Sequence, residues 1–172
     1  MLRTLSAILV LGCSAIGCSP TFNWREAAVE ATGLKAMLPC KPDKGSRTVP
    51  MAGRDVELHV LGCDAGGATF AVLHADLGDA SRSGEVLAQW KTATLANMHG
   101  AAVRETPFRP AGALGLPQSV QVVGRGQRAD GSDVEGQAGY FAHGNQVFQA
   151  VVYADRLKSE EVEPFFSGLR FE

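Results

Sequence analysis

Residues 133–154 read DVEGQAGYFAHGNQVFQAVVYA, and this stretch decides the fold class. Two runs rich in aromatic and β-branched residues flank His143–Gly144–Asn145, which has the composition of a turn, so the segment reads as an antiparallel hairpin. Upstream, Pro117 to Arg128 reads as a further strand, joined to Asp133–Phe141 through an Asp130–Gly131 turn. The three strands make a meander with no helix between them. A doubly wound parallel sheet needs a helix after nearly every strand, so that class is excluded.

Working outward, DVELHVLGC (55–63) sets Val56, Leu58 and Val60 against Glu57, His59 and Leu61, the pattern of a half-buried strand. ATFAVLHADL (68–77) returns beside it after a bend at Ala65–Gly67. SGEVLAQWKTATLANMHG (83–100) reads as the long helix, capped by Ser83 and ended by His99–Gly100. Its expected inner stripe is Val86, Leu87, Trp90, Ala93 and Met98, with Trp90 as a core anchor. GLKAMLPCKP (33–42) is a short strand ended by Pro39 and Pro42, KPDKGSRTVP (41–50) a polar loop, and Ala101–Glu105 a strand before a Pro-rich loop. SEEVEPFFSGL (159–169) is a short helix capped by Ser159. TFNWREAAVEATG (21–33) stays open: REAAVEA suits a helix, whereas Phe22 and Trp24 alternate as in a strand. The expected architecture is α+β. An antiparallel sheet of about five to six strands, hairpin then meander, is packed by one long and one short C-terminal helix.

The order of elements and the stretches LKAMLPCKP, LGCDAGGATFAV, AQWKTATLANM, YFAHGNQVFQAVVYA and PFFSGLRF resemble small bacterial envelope lipoproteins with a PsbP/DcrB-like α+β domain. The resemblance covers most of residues 33 to 171. It implies a fold and an accessory or binding role, and it carries no site residue, because the shared stretches are packing and turn patterns.

The chain opens MLRTLSAILVLGCSAIGCSP. One basic residue, Arg3, precedes an apolar run from Leu5 to Ile16. As a helix that run would reach roughly 18 Å, short of a hydrocarbon core of about 30 Å, so it reads as a secretory signal. Its end resembles a bacterial lipoprotein signal, in which a small residue precedes the Cys that is lipidated. Both Cys13 and Cys18 fit loosely, and parity separates them. The Cys residues are 13, 18, 40 and 63; lipidation at Cys18 removes Cys13 with the signal and leaves Cys40 and Cys63 to form a disulfide. The expected organisation is a signal over 1–17, a lipidated Cys and tether over 18–32, and one α+β domain over 33–172. Ser19 after Cys18 resembles outer-membrane sorting, with the protein facing the periplasm; inner-membrane anchoring is the alternative. The expected partners are membrane lipid, through the acyl anchor, and another envelope protein.

Without Arg3, residues 18–172 hold 15 basic against 18 acidic side chains, a net charge of −3. No basic stripe interleaves with aromatics, which argues against nucleic acid. No G-x-S-x-G, H-E-x-x-H, C-x-x-C or Walker-type loop occurs. GRGQRADG (124–131) has nucleotide-loop glycine spacing but sits between strands, with no helix N-terminus to hold phosphate. Glu57 and His59 on one strand and His74 and Asp76 on its hairpin partner could hold a divalent metal if their faces match. The same residues also suit a solvated hairpin face, and no metal or cofactor is assigned. His99 and His143 read as helix-end and turn residues. The leading expectation is a non-catalytic envelope lipoprotein acting as a binding or accessory module. The alternatives are a small-ligand module with a pocket between helix 83–99 and the sheet, and a metal-dependent enzyme.

Overall fold

The structure is a computed structural model in which residues 21–51 and 53–172 are described. The expected signal, Cys13 and the expected lipidation site Cys18 lie outside the described residues. The described residues form ten strands and two helices: β1 (Arg25–Ala28), β2 (Leu34–Leu38), β3 (Asp43–Met51), β4 (Arg54–Ala65), β5 (Ala68–Asp76), α1 (Ser83–Asn97), β6 (Ala101–Pro107), β7 (Val120–Gln127), β8 (Asp133–His143), β9 (Gln146–Ala154), α2 (Ser159–Ser167) and β10 (Arg170–Phe171). They build a seven-stranded sheet, ordered β3-β4-β5-β9-β8-β7-β6, and a three-stranded sheet, β1-β2-β10. Every ladder is antiparallel.

The large sheet is the middle layer of three. On one face, Val56, Leu58, Ala71, Tyr140, Val147 and Val151 pack under Val86 and Leu87 of α1. On the other, Phe70, Val72, Phe141, Phe148 and Val152 meet the small sheet and Phe165 and Phe166 of α2. Cover on both sides explains why β8 and β9 are buried at nearly every position instead of alternating. Val29, Leu34, Ala36 and Leu38 face that second layer, so the small sheet is part of the core.

The α+β class and the antiparallel hairpin and meander stand, but ten strands in two sheets replace the expected five to six. Three short or polar segments account for the difference. KPDKGSRTVP is not a loop: its last eight residues lie in β3, an exposed edge strand whose ladder partner, among the described residues, is β4 alone. An edge strand exposed on most of its length needs no apolar alternation, so the pattern was missing. The segment 21–33 resolves in favour of a strand, since β1 pairs with β2 and both Phe22 and Trp24 pack on the core. Folded structure therefore begins ahead of residue 33. The terminal Arg170–Phe171 adds the third strand of the small sheet.

The helix ends also differ in detail. Ser83 is the first residue of α1 and makes no side-chain cap; its hydroxyl is buried without a partner among the described residues. Asp79 instead caps a 3-10 turn over 80–82, accepting from Ser81 N at 2.9 Å. Lys158, not Ser159, stands at the N-cap of α2, also without a side-chain capping bond to the helix backbone. At the far end of α1, His99 takes φ 46°, the left-handed conformation that ends a helix. Among the described residues no helix is long and apolar enough to cross a membrane.

Cys40, just after β2, and Cys63, on β4, form a disulfide with Cα atoms 6.0 Å apart. It ties the small sheet to the large one. The bridge is the pair expected from parity.

Candidate functional site

Beside the β3–β4 hairpin a cleft opens on each face of the large sheet. On the face that carries the small sheet, Val29–Ala31 overhang β3, β4 and β5 and leave a cleft of about 440 Å³. His59 and His74 form its floor. They are register partners on β4 and β5, with rings stacked 4.9 Å apart. The stack continues: His74 lies 5.8 Å from its own partner Phe148, and Phe148 lies 5.2 Å from Phe141. A row of four opposed rings thus crosses β4, β5, β9 and β8, running from half-exposed His59 to fully buried Phe141.

Burial first, and the neighbouring His59 second, push the His74 imidazole down to about 4. His74 is therefore neutral at neutral pH, and its Nδ1 is buried without a hydrogen-bond partner among the described residues. Lys44 closes the rim with an ion pair to Glu30. That hydrogen bond and charge hold the Glu30 carboxyl below its ordinary range.

The four residues considered for a metal do share one strand parity, yet they do not converge. Glu57 lies 3.8 Å from His59 but accepts from Ser46 Oγ at 2.7 Å, and Asp76 accepts from Gly78 N at 2.7 Å. Among the described residues no three His, Cys, Asp or Glu side chains group as metal ligands. Stacked imidazoles present faces to one another, whereas metal ligation needs ring nitrogens aimed at a common point. Ser46 gives its hydrogen bond to a carboxylate, so it forms no serine–histidine pair with His59.

On the opposite face, α1 and β3 diverge and enclose a cleft of about 410 Å³. Leu58 and Val86 form its base, Val49 and Met51 one wall, and Trp90 and Ala93 the other. This is the helix–sheet pocket that the sequence reading offered as an alternative. Trp90 is only half-buried, so it is a cleft wall as well as a core contact, and Ala93 is exposed instead of inside the stripe. Among the described residues Arg47, at the mouth, is the only charged residue lining the cleft. Deeper in, Gln149 donates to Thr94 Oγ1 at 2.8 Å and to the Tyr140 hydroxyl at 3.1 Å. That bonded pair of donations lets a polar side chain sit beneath α1 without an unmet hydrogen bond.

Arg47 was missed because β3 was read as loop; with β3 recognised, period-two counting from Val49 places Arg47 on the α1 side. His143, taken as a turn residue, is tied down by Nδ1 at 2.9 Å from the Gly112 carbonyl and by a stack on Phe171 at 4.1 Å. Arg125 pairs with Glu135 and Arg128 with Asp155, both at the surface.

No protein-family model matches the chain, and no curated protein matches it. Among solved structures it is similar to a protein of unknown function, PA94 from Pseudomonas aeruginosa, at 14% identity. The alignment covers 82% of this chain and 89% of that one with a TM-score of 0.41, a likeness too slight to inform either fold or function.

Proposed function

We propose that the protein is a non-catalytic envelope lipoprotein, anchored by acyl chains on Cys18, whose domain binds a small ligand in the cleft between α1 and β3. The cleft carries the binding half of this reading: it is concave, with an apolar base at Leu58 and Val86, polar groups from Gln89, Thr94 and Asn97 on its helix side, and the cation of Arg47 at the mouth. Small-molecule sites combine a concave shape with a few placed polar groups. The anchor half is supported by the apolar run 5–16 that ends before Cys18 and by the Cys40–Cys63 disulfide, a bond that persists in oxidising compartments.

A docked strand from another envelope protein has less support. Both edges of the large sheet are blunted: β6 carries a bulge between Ala102 and Arg104 and ends in Pro107, and β3 carries Lys44, Arg47 and Pro50. Charges, bulges and prolines on edges oppose added strands.

Mass spectrometry of the protein isolated from its native membrane tests the anchor. A chain starting at an acylated Cys18 is expected, and Cys18→Ser should release the protein from the membrane fraction. A soluble chain starting at Met1 would overturn it.

A further inference from the structure

We infer that the α1–β3 cleft takes a small organic anion: a flat apolar body against Trp90 and one carboxylate or sulfonate at Arg47. This rests on the cleft being a ligand site and adds the chemical class. Three observations carry it. Val49, Met51, Leu58, Val86 and Trp90 give the cleft its apolar surface beside the neutral polar Gln89, Thr94 and Asn97, and among the described residues no acidic residue lines it. Arg47 is exposed on β3 directly opposite Leu58, and its guanidinium pairs with no carboxylate among the described residues. The nearest acid on α1 is already engaged: Glu85 accepts from both Arg82 and Gln89.

A guanidinium beside low-dielectric surface gains most from an anion that covers that surface, because the ligand's own body excludes water from the pair. Its planar fork matches a carboxylate with two parallel hydrogen bonds. The indole of Trp90 offers a flat face for an aromatic body. The cleft on the other face differs on this point. Its lysine, Lys44, is already neutralised by Glu30, so nothing there selects for an anion.

The test compares 2-naphthoate with 2-naphthamide, of the same shape but uncharged, titrated into the ¹⁵N-labelled full chain. The chain has two Trp residues, and Trp24 packs on the opposite face of the sheet, so its indole signal is an internal control. The Trp90 indole should shift saturably while Trp24 stays still, and naphthoate should bind about tenfold more tightly than naphthamide. Arg47→Met should abolish that preference by weakening naphthoate about tenfold and leaving naphthamide within about twofold. Ala93→Phe, on an exposed helix position, should block both ligands by filling the cleft. If neither ligand moves Trp90, the cleft is not a ligand site and both readings fall. If both bind equally and Arg47→Met changes nothing, the anion assignment falls while the cleft reading stands.

Discussion

His59 and His74 face each other across β4 and β5 with their rings 4.9 Å apart and 17° from parallel. Burial first, and His59 second, hold His74 at about 4, against 6.5 for a free imidazole. Between those values the unfolded chain binds a proton that the folded chain refuses. Stability is therefore full above about pH 6.5 and is lost as the pH falls towards 4. The loss attributable to His74 is about 2–3 kcal/mol, given about 1.4 kcal/mol per unit and some allowance for the open cleft. Urea midpoints measured from pH 4 to 7.5 should show this slope. His74→Phe, which can continue the ring row toward Phe148, should flatten it. An unchanged slope in the variant would place the titration elsewhere.

The Cys40–Cys63 bridge closes a loop with a sequence separation of 23 and links two sheets. In the chain-entropy model it contributes about 3 kcal/mol by restricting the unfolded chain. Cys40→Ser with Cys63→Ser should lower stability by that amount in urea titrations, and dithiothreitol should have no further effect on the double variant. Denaturing the native protein without reductant should expose no thiol from this pair.

Gly126 sits where the end of α1 presses on β7. A Cβ there would run into the carbonyl oxygen of Met98, which also accepts the hydrogen bond from Gln127 N at 2.7 Å. Neither backbone can yield cheaply, so Gly126→Ala should cost roughly 2 kcal/mol. Gly45, on the β3 edge, has open space where its Cβ would be. Gly45→Ala is the control and should be neutral or stabilising by about 0.5 kcal/mol. Thermal melts of the two variants would separate the effects, and equal melting temperatures would contradict the packing account.

Phe148 joins the ring row to the deep core, with no exposed surface and contacts to His74, Phe141 and Phe171. Phe148→Ala should destabilise by about 3–5 kcal/mol, through lost transfer energy and the cavity left in a well-packed layer. Denaturant unfolding reads this directly. A loss below about 1 kcal/mol would mean that the surrounding rings collapse into the space.

The elements with strong periodicity or turn chemistry were legible. The β4–β5 hairpin, α1 and the β7–β8–β9 meander lie within a few residues of their expected bounds. GRGQRADG spans the end of β7 and the turn that follows, and its glycines have a structural use: Gly124 and Gly126 admit Leu95 and Met98 from above β7. What failed to show were β1, β3 and β10, which are short or lie at an edge. Their conformation comes from pairing with a neighbouring strand, β2 for β1 and β10 and β4 for β3, not from their own side chains.

The candidate cleft divides in the same way. Local sequence placed Trp90 on a helix and put His59 and His74 on paired strands, because alternation and helical spacing are properties of a few neighbouring residues. It also supplied the cysteine count from which the disulfide pair follows. Bringing Arg47 across from Trp90 and stacking His74 between His59 and Phe148 required the tertiary structure. Those juxtapositions depend on which strand lies beside which and how far α1 stands off the sheet, and both are set by the packing of three layers at once.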